Sequence, residues 1–322
     1  MTDNLDRSRK LLSFYPKTYR EERGDEIVAT LQDAAEARVP RASLRDQVSV
    51  ALYGVRVRLG LTSETMFGKA LDIAAIPGLV MGAFFGVYLL ISADLPVVNS
   101  KFFYPDFGPF LTVGPLFYLV WILGVVVVFE WPQYRRRVAG VCMTLTIVGE
   151  FLAKLAHRNP NIWEIAILVS LGLPSLLAPD VYVTRRRVLP SLSVGLATFA
   201  TLFFVSSSNV NPGFFNSFYW SGTYEITRRQ PYVDVSLLAL FVLLWIVKRR
   251  EAAGATLILA SPWIIVGVAY PVSLQYLSLD ALNVIALIAW AVGMTLIVTT
   301  SRYRPRPPAS VELSALNSVD GA

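Results

Sequence analysis

Eight mostly apolar stretches run through the chain, at 73–93, 110–130, 138–156, 162–178, 188–206, 233–247, 253–272 and 281–299. No other feature restricts the fold as much. About 20 apolar residues in a helix match the hydrocarbon core of a bilayer. A helix also satisfies its backbone polar groups internally, as lipid demands. The stretches at 162–178 and 233–247 are short, which leaves six or seven crossings open by length alone. Charge decides the count. Arg135, Arg136 and Arg137 follow the second stretch, and Arg185, Arg186 and Arg187 the fourth. Lys248, Arg249 and Arg250 follow the sixth, and Arg302, Arg304 and Arg306 the eighth. Lys and Arg mark the cytoplasmic flank of a span. Eight crossings put every cluster and both termini on that side, whereas removing one strands at least one cluster outside. The sequence therefore predicts an all-α, polytopic helical membrane protein of about eight transmembrane helices.

The charges are unevenly spread. The chain is 54% hydrophobic and 16% charged, against about 25% charged in an ordinary soluble domain. Roughly two fifths of its charges fall in residues 1–71. This division predicts a cytoplasmic helical domain over 1–62, a linker over 63–72, a transmembrane domain over 73–300 and a disordered cytoplasmic tail over 301–322. Residues 1–30 contain no apolar core of a cleavable signal peptide. The net charge of +6 follows from the positive-inside bias and calls for no direct nucleic-acid binding. With one cysteine, Cys142, and one histidine, His157, neither a disulfide framework nor a metal site is expected, and no cofactor is called for.

The first 60 residues read as three short helices. Leu5, Leu11, Leu12 and Phe14 lie on the first, which Pro16 ends because the residue before a proline is driven out of the helical region. The second, from about 17 to 38, carries Tyr19, Ile27, Val28, Leu31 and Ala35 on one side. The third carries Leu44, Val48, Ala51, Leu52 and Val55 on one face. So small a module buries only a marginal core. It is expected to lean on a second copy, on the inner face of the membrane domain or on a partner protein.

Within it, "LLSFYPKTYREERGDEIVATLQDA", residues 11–34, resembles the N-terminal signature of actinobacterial membrane proteins with a HAAS-like or permease-prefix domain. The matching positions are Tyr15-Pro16, Tyr19-Arg20, Gly24 and Glu26. The resemblance covers about residues 5–60, and the membrane region resembles no named transporter family. It implies a cytoplasmic signalling module in a bacterial plasma membrane, with a PadR-type helix-turn-helix regulator or an ABC-type ATPase as partner. Tyr15, Tyr19, Arg20 and Glu26 would form the partner surface. The residues themselves leave a second reading open, in which the tyrosines only pack the module.

Several features of the membrane region bear on function. Gly78, Gly82 and Gly86 recur every four residues and make a flat stripe, which lets helix backbones approach closely. The stripe serves packing within the chain or a homodimer. Glu150 and Lys154, four apart inside the third stretch, form a helix pair. An ionisable residue at that depth either self-neutralises or serves a proton or substrate path. Pro77, Pro115, Pro174 and Pro262 mark kinks or broken helices. The segments 94–109 and 207–232 are aromatic-rich outer loops. In the second, Phe218, Tyr219, Trp220 and Tyr224 are ligand candidates, or else part of an interfacial belt.

Enzyme signatures are missing. Seven residues separate the glycines of "GLTSETMFGK", where a phosphate-binding loop has four. The expected function is a non-enzymatic membrane receptor or regulator, relaying an envelope or lipophilic-compound signal to a cytoplasmic partner. The alternative is a permease, or a permease subunit, for a lipophilic compound.

Overall fold

The charged N-terminal stretch and the apolar remainder fold as two separate units, divided between Thr65 and Met66. The computed structural model describes residues 11–37, 44–91, 110, 112–155, 162–179, 188–207, 234, 237–273 and 281–300. The regular elements it describes are helices, so the all-α expectation holds.

The N-terminal unit begins with a 3-10 turn, Leu12–Phe14. Tyr15 is then extended, with φ −88° and ψ 153°, as the following proline requires. Helix α1 (Lys17–Ala37) and helix α2 (Leu44–Arg58) follow. Their core is built on two tyrosines. Tyr15 and Tyr19 stack with ring centroids 5.4 Å apart and pack with Val57 against Leu12, Ile27 and Val50. Tyr15 Oη donates to the Val50 carbonyl at 3.0 Å. The face of α2 expected in the core is not the one that enters it. Val48 and Leu52 are exposed, and α2 turns Val50, Gly54 and Val57 inward instead. The cause is the size of the tyrosine ring: a Cβ at position 54 would lie 2.8 Å from Tyr15, so only glycine admits it. Helix α2 closes with Gly60 at φ 68°. The Leu61 amide then reaches the Arg56 carbonyl and the Gly60 amide the Val57 carbonyl, a glycine-closed helix end.

The second unit is a helical bundle of α3 (Met66–Leu89), α4 (Gly114–Glu130), α5 (Arg135–Leu155), α6 (Ile162–Leu177), α7 (Val188–Ser207), α8 (Leu237–Ile246), α9 (Arg250–Ser273) and α10 (Ala281–Thr300). Helix α3 is its axis and packs on α4, α6, α7 and α9. The expected linker over 63–72 is cut short, because α3 begins at Met66. Its first turns carry Lys69 and Asp72, charges that the apolar pattern excluded. They are accommodated because Lys69 pairs with Glu251 at 3.0 Å and Asp72 with Arg135 at 2.9 Å.

The contacts also give helix directions. Gly86 meets Tyr118 and Gly82 meets Trp121, so α4 runs antiparallel to α3. Gly78 meets Leu171, and Ser175 Oγ donates to the Ala75 carbonyl, so α6 is antiparallel too. Ala70 lies by Gly254 and Phe85 by Trp263, which makes α9 parallel. Thr300 reaches Met66 across α10, which is antiparallel. One end of the bundle therefore gathers the starts of α3, α5 and α9 with the ends of α6 and α10.

Among the described residues, two helices are long and apolar enough to cross a membrane, Met66–Leu89 and Pro132–Leu155. Gly114–Glu130, Ile162–Leu177, Leu237–Ile246 and Val284–Thr300 are shorter apolar helices. At 1.5 Å per residue α8 measures about 15 Å. By itself it is half of a ~30 Å hydrocarbon core, less than the crossing expected over 233–247.

Candidate functional site

Three groups of side chains in the bundle have chemistry beyond apolar packing. The first is the glycine stripe with the tryptophan it receives. Trp121 is fully buried, and a Cβ on Gly82 would come 2.6 Å from its ring. Its Nε1 donates to Thr146 Oγ1 at 3.0 Å, and that hydroxyl donates to the Cys142 carbonyl at 2.7 Å. A Cβ on Gly78 would stand 2.5 Å from the Leu171 carbonyl oxygen, and one on Gly86 3.2 Å from Tyr118. The stripe is thus filled from within the chain, by α4 and α6. Packing is its role here, and this face has no room for a second copy.

The second group is the arginine pair that opens α5. Arg135 is buried despite its charge. Its Nη1 donates to Asp72 Oδ1 at 2.9 Å and its Nη2 to the Pro179 carbonyl at 2.7 Å. Arg136 donates from Nε to the Leu176 carbonyl at 3.1 Å and from Nη2 to the Ala178 carbonyl at 2.6 Å. The last carbonyls of a helix lack intrahelical donors and carry partial negative charge. Two guanidinium groups at the end of α6 satisfy both needs. Arg137 instead lies over the Tyr134 ring, 5.6 Å from its centroid. Sequence reasoning read these arginines only as topology markers and missed Asp72. A carboxylate immediately ahead of the first apolar run was the available signal.

The third group consists of buried carboxyls. Glu150 on α5 is 7% exposed and Glu164 on α6 is 8% exposed. Lys154, one turn beyond Glu150, is exposed. The two residues expected to pair therefore point different ways, Glu150 into the bundle and Lys154 out of it. Asp234 is 1% exposed, and its Oδ1 meets no hydrogen-bond partner among the described residues. It was not singled out from sequence, although an aspartate opening an apolar run was visible.

In the N-terminal unit the structure corrects the assignment of Tyr15 and Tyr19 to a partner surface. Both are buried, and their rings supply the apolar mass of a core that has few other large residues. Burial raises the Tyr15 phenol to about 12, with Tyr19 and Tyr53 nearby adding to the shift. Burial raises Tyr19 as well, against the lowering influence of Arg23. Arg20 and Glu26 are exposed on α1, where a partner can reach them.

Phe218, Tyr219, Trp220, Tyr224, His157, the 185–187 arginines and the tail over 301–322 lie outside the described residues. No cluster of His, Cys, Asp and Glu among the described residues fits a metal ion. Comparison of the chain with protein-family models, with curated proteins and with solved structures finds no match.

Proposed function

We propose that the chain is an integral membrane receptor or regulator whose bundle sits in the bacterial plasma membrane and whose N-terminal unit engages a cytoplasmic partner. One observation carries the reading: the bundle is apolar on its outside as well as inside. Leu116, Leu119, Leu123 and Val126 on α4 are exposed, as are Val141, Leu145, Phe151 and Leu152 on α5 and Ile285, Ile288, Val292 and Leu296 on α10. A water-soluble monomer rarely exposes apolar surface on this scale. A lipid-facing bundle does so on every outer helix.

The placement of two basic clusters supports reading the bundle as a multi-crossing membrane domain. The basic first turn of α5 and the basic residues at the start of α9 fall at the same end, where Arg135 meets Asp72 and Lys69 meets Glu251. That arrangement follows from the positive-inside rule if this end faces the cytoplasm. The shortness of α8 is compatible with a crossing made jointly with neighbouring residues in a bundle interior.

Partner engagement rests on the resemblance of residues 11–34 to a HAAS-like module and on the exposure of Arg20 and Glu26. A helix-turn-helix regulator of the PadR type is the partner this reading favours. Photo-crosslinking from Glu22 in the native host, with the captured protein identified by mass spectrometry, tests it. A regulator captured there supports relay. An ATPase captured there turns the reading to transport.

A permease is the second reading, and Glu150 with Asp234 favours it. Burying a carboxyl in a membrane bundle is costly, and such groups serve ion or proton paths in transporters. On this reading Glu150→Gln and Asp234→Asn abolish substrate flux in proteoliposomes while the protein stays folded. Unchanged flux in both variants removes a proton-coupled path through these residues.

A further inference from the structure

Helix α2 carries apolar residues on two faces, and its own unit uses one of them. Val50, Gly54 and Val57 face Tyr15 and Tyr19. On the other side Val48, Leu52, Val55 and Leu59 recur every three or four residues, so they form a single stripe along the helix. The Leu59 amide reaches the Val55 carbonyl at 2.9 Å, which continues the helical turn through the last of them. Val48 is 49% exposed, and Leu52 and Leu59 are each 59% exposed. The stripe is flanked by base: Arg56 and Arg58 lie in the last turn of α2. From Gln47 to Ser63 the sequence holds no acidic residue.

We infer that this outward face of α2 is a membrane-surface site, which inserts Val48, Leu52, Val55 and Leu59 into the headgroup region of an anionic leaflet with Arg56 and Arg58 on the lipid charges. The inference rests on the membrane reading above. With its inner face taken up by the tyrosines, the outward face of α2, an apolar stripe flanked by arginines, has the pattern of an interfacial helix. Its charge complements the anionic inner leaflet. Size separates lipid from protein as the occupant. Four side chains offer far less than the ~800 Å² per partner of a stable protein interface, whereas insertion into a leaflet needs no such minimum. The tether supplies the rest. Helix α2 ends at Arg58 and α3 starts at Met66, so the connecting segment reaches at most about 25 Å when fully extended. If α3 is in the bilayer, the stripe is held beside it at high effective concentration, and weak intrinsic affinity suffices.

The test uses the full chain in lipid nanodiscs, on a Cys142→Ala background, with an environment-sensitive fluorophore on single introduced cysteines. Leu52→Cys and Leu59→Cys report the stripe, Glu22→Cys reports the exposed side of α1, and Phe151→Cys reports the outer face of α5. Quenching by spin-labelled lipid is compared between zwitterionic discs and discs containing phosphatidylglycerol. The expected result is quenching at positions 52 and 59 at least about twofold above position 22. It rises with anionic lipid and falls both in about 0.5 M salt and in the Arg56→Gln/Arg58→Gln variant. Labels at 52 and 59 no more quenched than at 22, with 151 strongly quenched, overturn the site and leave the membrane reading standing. An unquenched label at 151 overturns the membrane reading itself, and this inference with it. Disulfide-linked dimers through Leu52→Cys without lipid quenching assign the stripe to a second copy and overturn the lipid site.

Discussion

Arg135 shows how much a single residue can do that its neighbours in sequence do not announce. From its sequence context it is one of three arginines flanking an apolar run. In the fold it reaches across 63 residues to Asp72 and across 44 to the Pro179 carbonyl. Neither partner is visible to a periodicity argument, which works over a few turns of one helix. The pair is buried on both sides, with side chains 6% and 10% exposed. Removing one member of such a pair strands a charge, at a cost of about 3–5 kcal/mol. Arg135→Ala is therefore expected to lower thermal stability in detergent severely, and more than Asp72→Asn, because it also leaves the Pro179 carbonyl without its donor. Replacing both residues, as in Asp72→Leu/Arg135→Met, should recover much of the loss. A double variant as unstable as Arg135→Ala would show that the carbonyl contact, and not the ion pair, dominates.

At the scale of elements, helix positions were legible and helix faces were less so. The ends of α5, α6, α7, α9 and α10 fall within about three residues of the apolar stretches, because a change from apolar to charged is a strong boundary signal. Which face of α2 turns inward was not legible. Both of its faces are apolar, and the choice was made by the Tyr15 ring fitting over Gly54. The glycines of α3 were readable as a packing stripe, and the structure supplies what each one meets. Gly78 lies against a backbone oxygen, which cannot rotate away as a side chain can. Gly78→Ala is expected to cost about 1–3 kcal/mol by overpacking. Gly140→Ala is the control. Among the described residues its Cβ would meet only Leu176 Cδ1 at 3.9 Å, so the higher helix propensity of alanine, up to about 1 kcal/mol, goes unopposed. Thermal melts of the two variants side by side check both signs.

Over the whole molecule, two units with different chemistry respond to different stresses. The N-terminal unit hangs on neutral phenols. Tyr15 titrates near 12 when folded, against 10.0 as a free side chain. A folded-state value above the unfolded one means full stabilisation below about pH 10, lost as pH rises towards 12. Alkali should therefore unfold this unit over that window, seen as a partial fall in helical circular dichroism that tracks tyrosinate absorbance. Tyr15→Phe should move the fall to higher pH; an unmoved fall would assign it to other groups. The division into a charged unit and an apolar bundle was plain from composition, whereas the central place of α3 was not. That place has a consequence for synthesis. Translation delivers α3 before the other helices of the bundle, yet it is the one they surround. Its flank against Gly254, Leu259 and Trp263 stays bare until α9 leaves the ribosome, some 180 residues later. A chain cut short after α7 exposes its innermost helix on one side. Quality control can thus recognise an unfinished copy by a surface that every finished copy hides.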